Sequence, residues 1–224
     1  MPQAIVLIGP PGSGKDTQAA YLVEELGFVS VPSSKIIRAK FDAHPDDPVI
    51  REQKRIYDAG LLNDPVLVSE WILEFVRPLA LQGQSVVFSG SPRTAHEADV
   101  EFPALQELYG VEYVRVVYLE ISLEESTRRI AGRRFCVAQG HVFPGSPESE
   151  QLVACPQDGS ALIRRELDAP ELIATRHQQY LDRTFPVIEI ARTLGVPVFS
   201  LEGGKEIEAV HHDIVGIIER RHVP

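Results

Sequence analysis

Gly9-Pro10-Pro11-Gly12-Ser13-Gly14-Lys15-Asp16-Thr17 is the stretch that decides the fold. The apolar run Ala4-Ile5-Val6-Leu7-Ile8 precedes it, and a helical pattern over residues 14–26 follows. A strand, a glycine-rich turn with G-x-x-x-x-G-K spacing and a helix together make a phosphate grip. The glycines let successive N–H groups converge on an anion, the helix start adds its positive dipole, and the lysine reaches the β- and γ-phosphates. The loop therefore implies a bound nucleoside triphosphate. One position is unusual. The pattern places Ser or Thr directly after the lysine as a magnesium ligand, whereas here Asp16 stands there and the hydroxyl follows at Thr17. Asp16 can serve magnesium directly or through a water, or it can simply favour the helix start by its negative charge.

Further short apolar runs at 28–31, 85–89, 113–119 and 196–200 read as buried parallel strands. Helical patterns separate them at about 33–43, 48–59, 65–81, 95–109, 123–131, 170–194 and 205–220. This alternation predicts an α/β fold, a doubly wound parallel sheet of five strands with helices on both faces. Asn63-Asp64-Pro65 reads as a helix start, with a capping side chain ahead of proline. Residues 135–163 break the rhythm. They are rich in Gly, Pro, Ser and Gln, hold both cysteines, and read as a small insert on the core.

The chain has 224 residues, which suits a single domain. Its 32 acidic against 22 basic residues give a formal charge of −10. That balance argues against nucleic acid or an anionic membrane as partner, so an anionic substrate needs a local basic pocket. With only Cys136 and Cys155, a disulfide scaffold is not expected. The apolar run 4–8 is too short for a signal peptide and lacks a basic flank, so a cytoplasmic chain is expected.

Arginines stand at telling places. Arg93 follows the run 85–89, at the edge where ligands bind in such sheets. Arg129 and Arg133 are four apart on one helix face. Phosphoryl transfer needs cations around the migrating group. Taken in order, these segments resemble adenylate kinases, of the nucleoside monophosphate kinase family, over essentially the whole chain. The loop through Gln18 matches the family's phosphate loop. Ser33-Ser34-Lys35-Ile36-Ile37-Arg38 falls at its S-T-G-D-x-x-R segment, Ser89-Gly90-Ser91-Pro92-Arg93-Thr94 at D-G-F-P-R-T, and Arg129 to Arg134 at R-x-x-G-R-R. Arg165 and Arg176 fall on the stretch leaving the lid, and Glu202-Gly203-Gly204-Lys205 resembles the stretch near the ATP base.

The resemblance implies transfer of the γ-phosphoryl of ATP to a nucleoside monophosphate, with magnesium, in a monomer. AMP is the default acceptor, and GMP or another monophosphate is open. Gly9 to Thr17, Arg129, Arg133 and Lys205 would hold ATP. Ser33, Arg38, Arg93, Glu97, Arg165 and Arg176 would hold the acceptor. Lys15, Arg93, Arg129, Arg133, Arg165 and Arg176 would serve the transfer. Residues 33–64 would form a helical acceptor-binding part and residues 134–166 a lid.

The chain departs from the pattern at Ser89 and Lys35, where the family has aspartates, and at Glu97, where it has the glutamine that reads adenine. These departures leave a second reading, a nucleotide-binding relative with weakened turnover that senses or buffers nucleotides. Glu97 also suits guanine, whose N1–H and amine are both donors. In the lid, the paired spacing of a four-ligand zinc site reads Cys136-Val137-Ala138-Gln139 and Cys155-Pro156-Gln157-Asp158. Cys136, Cys155 and Asp158 are plausible zinc ligands and Gln139 is a poor fourth, replaceable by His141 through a loop shift. A metal-free, hydrogen-bonded lid is the expectation, with Cys136 and Cys155 close in space on two facing turns.

Overall fold

The computed structural model describes residues 1–138, 141–143, 145–146, 149, 151–164 and 168–220. The five-stranded parallel sheet runs β2-β3-β1-β4-β8, where β1 is Ala4–Ile8, β2 Val29–Val31, β3 Val86–Phe88, β4 Val114–Glu120 and β8 Val198–Glu202. The registers Ala4 to Val86 and Ala4 to Val114 set β1 at the centre. Its five residues are all buried, as an apolar strand covered on both faces must be.

Successive residues of the sheet feed two cores. Val6, Phe88 and Val116 pack with Trp71, Ile72 and Phe102 on one face. Ile5, Val87 and Val117 pack with Leu22 and Ile214 on the other. Phe88 and Phe102 are fully buried, and such a side chain contributes about 2–3 kcal/mol.

Local chemistry fixes the helix ends near the site. Helix α1 (Lys15–Leu26) begins after Gly14, whose φ of 93° is left-handed and favours glycine. Helices α2 (Ser33–Ala43) and α3 (Pro48–Asp58) follow β2, and Asp47 caps α3 by accepting from Val49 N. Helix α4 (Pro65–Leu81) starts as the sequence implies, with Asp64 accepting from Val66 N ahead of Pro65. Helices α5 (Ala95–Tyr109) and α6 (Leu123–Ala131) flank β4, capped by Thr94 and Ser122.

Two expectations need correction. The segment 170–194 is not one helix: it divides into α7 (Pro170–Gln179), a π turn (Tyr180–Thr184) and α8 (Val187–Thr193). Pro186 lacks the N–H that a continuous ladder needs, and Phe185 N bonds back to Tyr180 O. The last strand begins beyond Pro197 and runs to Glu202, before α9 (Ile207–Glu219). The insert is an antiparallel sheet, β6-β5-β7, of β5 (Arg134–Cys136), β6 (Val142–Phe143) and β7 (Leu162–Ile163). Among the described residues, no helix is long and apolar enough to cross a membrane.

Candidate active site

A cavity of about 180 Å3 opens at the carboxyl ends of β1 and β3, the edge where parallel sheets bind ligands. The phosphate loop forms one wall. A Cβ on Gly9 would stand 2.5 Å from Ser13 Oγ and 2.6 Å from Leu119 O, so only glycine fits the turn. Ser126 Oγ on α6 donates to Pro11 O at 2.6 Å and fastens the loop from outside.

Lys15 Nζ curls back over its own loop, donating to Gly9 O at 2.7 Å, Pro10 O at 2.8 Å and Ser13 Oγ at 3.1 Å. Burial pushes its pKa down to about 7. Arg93, Arg133 and Arg176 push the same way, and Asp16 opposes them. An anion in the cavity would relieve this crowding. Asp16 and Thr17 line the rim, with Asp16 exposed in the first turn of α1.

Four of the predicted arginines, Arg93, Arg129, Arg133 and Arg176, line the cavity. Asp168 draws two together: Arg133 Nε donates to it at 2.8 Å, and Arg176 Nη1 at 2.8 Å. Arg133 also lies over the Phe135 ring, 5.1 Å from its centroid. Arg129 Nε donates to Glu125 at 2.6 Å and Nη1 to Gly203 O at 2.9 Å. Bonds from Arg128 first, then Arg129, hold Glu125 down to about 2.

Arg93 stands on the loop after β3, behind Gly90. A Cβ at Gly90 would lie 2.9 Å from Arg93 Nη2 and 3.0 Å from Ser33 Oγ, so glycine lets both approach. Ser33 Oγ is buried beside Gly90, just behind the cavity lining, with no hydrogen-bond partner among the described residues, and Ser89 is buried in the cavity wall. Glu97 is buried too, and its carboxylate is engaged by Arg93 N, Thr94 Oγ1 and Ser91 Oγ. Burial raises its pKa, and the bond from Arg93 N opposes the rise.

Other expected residues stand apart from the cavity wall. Arg38 is exposed on α2, where its Nε donates to Tyr57 Oη at 3.2 Å, and it is Tyr57 that lines the cavity. Lys205 pairs with Asp213 on α9 at 3.0 Å. Arg165 and Gln139 lie outside the described residues. The sequence reading gave no part to Asp168, Thr184 or Glu101. Glu101 had a visible signal, an acid in the apolar stripe of Ala98, Phe102 and Leu105.

The adenylate kinase family model matches residues 7–196. The chain belongs to the adenylate kinase family. An adenylate kinase of Novosphingobium aromaticivorans is 31% identical over 219 residues, covering 97% of this chain and 99% of that one. One from Desulforamulus reducens is 30% identical over 217 residues, 94% and 97% of the two chains. One from Salinispora tropica is 33% identical over 189 residues, 83% and 84% of the two. This kinase is thus a phosphotransferase with a nucleotide-binding α/β core.

The insert of this adenylate kinase relative brings Cys136, His141, Cys155 and Asp158 together, with ligand atoms within 4.8 Å of one another. Two turns face each other as expected: Cys136 N bonds His141 O, and Cys155 N bonds Ser160 O. Cys136 Sγ donates to Asp158 at 3.0 Å, and His141 Nδ1 lies 3.3 Å from Cys155 Sγ. The fourth donor is His141. Two thiols, an imidazole and a carboxylate within 4.8 Å of one another are donors that zinc takes, and small side-chain shifts would bring them to the about 3.3–3.8 Å between ligand atoms of a tetrahedral site.

Proposed function

We propose that this kinase moves the γ-phosphoryl of ATP to AMP. The observation that carries the reading is the convergence of Lys15, Arg93, Arg133 and Arg176 on one cavity in a chain of net charge −10. Phosphoryl transfer is catalysed mainly by such positioned charge. Gly9 to Thr17 grip the donor phosphates, and Lys15 turns from its loop carbonyls to the β- and γ-oxygens. Arg93 and the unpartnered Ser33 hydroxyl take the acceptor phosphate, and Arg38 swings in from α2. Arg129, Arg133, Arg165 and Arg176 close on the migrating group, and Lys205 and the 203–204 turn lie toward the donor base. Residues 33–64 act as the acceptor part, and residues 134–166 as a lid that excludes water.

AMP is favoured over GMP by the wall that meets the base. Ile37, Leu61, Leu62 and Val68 are apolar, and the Glu97 carboxylate that would suit guanine is engaged by its own loop. Ser89 in place of the family's aspartate favours the weakened relative. One assay separates the readings: ATP and magnesium with each of the four ribonucleoside monophosphates. ATP consumed fastest with AMP supports the proposal. Faster turnover with GMP, or none at all, overturns it.

Magnesium bound with the nucleotide would neutralise charge at the β- and γ-oxygens. Asp16, a hard carboxylate on the rim, is the residue that would hold it. If so, Asp16→Ala raises the magnesium needed for half-maximal rate, and an unchanged requirement leaves Asp16 only its place at the helix start. The lid cluster favours zinc over the metal-free lid expected from sequence, with Cys136, His141, Cys155 and Asp158 as ligands. Membership of the adenylate kinase family supports a monomer. A reducing cytoplasm suits two cysteines that are not joined in a disulfide.

A further inference from the structure

Ser91, Glu97 and Glu101 form a buried group behind the acceptor wall. Ser91 Oγ lies 2.7 and 2.8 Å from the two oxygens of Glu101 and 3.2 Å from Glu97 Oε2. A hydroxyl carries one proton. With both carboxyls ionised, Ser91 could serve only one, and the other contact would set oxygen against oxygen. The Glu101 side chain is wholly buried, with Ser91 as its partner. A proton on Glu101 resolves the conflict: Glu101 donates to Ser91, and Ser91 donates to Glu97. Burial, then the neighbouring Glu97, raise the Glu101 pKa well above the ordinary carboxylate value, as this arrangement requires.

Glu97 thereby stays ionised, and its remaining bonds go to the chain around Arg93. It accepts from Arg93 N at 2.8 Å and from Thr94 Oγ1 at 2.9 Å. From the opposite side, Thr184 Oγ1 in the π turn donates to Arg93 O at 3.0 Å. The N–H and the C=O of Arg93 are each held by a side chain from a different element. A satisfied buried network of this kind is rigid. Rigidity matters here because a guanidinium misplaced by about 1 Å can cost on the order of a hundredfold in rate.

We propose that Glu97 and Thr184 are positioning residues that fix Arg93 for the acceptor's phosphate, with Glu101 bracing Glu97 through Ser91, and that Glu97 does not read the acceptor base. The inference rests on the proposed transfer to a monophosphate and adds to it the device that sets the acceptor arginine. It also predicts that any nucleoside monophosphate used at all depends on Glu97 to the same degree.

The test compares kcat/KM for AMP and for GMP in the parent, Glu97→Gln and Thr184→Val, each also in an Arg93→Ala background. Both single variants should lose about tenfold with either acceptor, leaving the AMP to GMP ratio within about twofold of the parent. In Arg93→Ala both effects should vanish, because the residue being positioned is gone. Glu101→Gln, which still offers a donor to Ser91, should lose less than Glu101→Leu. A changed base ratio in Glu97→Gln, or a tenfold loss that persists without Arg93, overturns the inference. Thr184→Val carries the test alone if Glu97→Gln does not fold. A parent without turnover defeats the proposed function, and AMP affinity measured by calorimetry on the same variants still decides the inference.

Discussion

Lys15 should take up a proton when ATP binds. In the empty cavity, burial and three facing arginines push Lys15 down to about 7 from the ordinary 10.5. Polyphosphate beside the ammonium does not lift the burial, but its negative charge offsets it and the arginines and returns the pKa toward the ordinary value. Between pH 7 and 10.5 the free protein has released a proton that the complex retains, so binding weakens as pH rises through that window. The slope is about tenfold in affinity, or about 1.4 kcal/mol, per pH unit. At pH 8 about 0.9 proton should enter per ATP, and at pH 6 about 0.1. The empty fold follows the same linkage with the opposite sign. The cost of a buried charged Lys15 is fully present below pH 7 and lifts as pH rises toward 10.5, so this residue alone makes the free protein more stable there. The bonds to Gly9 O, Pro10 O and Ser13 Oγ favour the ammonium, so any departure of the midpoint is upward. Calorimetry of ATP binding in two buffers of different ionisation enthalpy, from pH 6 to 9, counts the protons. Lys15→Arg is the control, since it keeps the charge without titrating, and the nucleotide's own titration cancels between the two proteins. No uptake at pH 8, or equal uptake in Lys15→Arg, would refute the reasoning.

Three further outcomes are expected. Gly90→Ala places a methyl 2.9 Å from Arg93 Nη2 and 3.0 Å from Ser33 Oγ; initial rates should show KM for AMP raised tenfold or more, with ATP binding intact. Asp168→Asn leaves Arg133 and Arg176 without their shared buried carboxylate, and urea unfolding should show a loss of about 3 kcal/mol. Elemental analysis of fresh protein should find one zinc per chain, lost in Cys155→Ser together with part of the thermal stability; metal-free protein with an unchanged melting temperature would return the lid to hydrogen bonds alone.

The sheet and the phosphate loop were legible because their determinants are local. A buried parallel strand is a continuous apolar run, as at Ala4–Ile8, and the loop's glycines and lysine are contiguous. The cap at Asp64 is equally local. Tertiary placement was less legible. Nothing in the spacing of Arg38 says that it rests on Tyr57 outside the cavity wall, or that Lys205 pairs with Asp213. The break in 170–194 combines Pro186 with a π turn, which side-chain period alone does not show. Asp168 and Thr184 act on residues 35 and 91 positions away in sequence, beyond the reach of any local pattern.

Ser91 falls where the family's D-G-F-P-R-T stretch has an aromatic, and Glu97 where the family has the glutamine that reads adenine. The geometry makes them parts of one network with Glu101. A buried glutamate at position 97 needs donors, and the Arg93 N–H, the Thr94 hydroxyl and Ser91 supply them. With Glu101 facing it, Ser91 can give its one proton to Glu97 only if Glu101 is itself protonated and donates to Ser91 Oγ. Remove Ser91 alone, and two carboxyls face each other in a buried space with no hydroxyl between them, at a cost of about 1–3 kcal/mol for each unpaired group. Remove Glu101 alone, and Ser91 keeps its bond to Glu97 but loses its donor. The three positions are therefore coupled. A change at any one of the three should depend on the state of the other two, and a double-mutant cycle on Glu97 and Glu101 should read that dependence as a coupling that disappears when Ser91 is replaced by Ala.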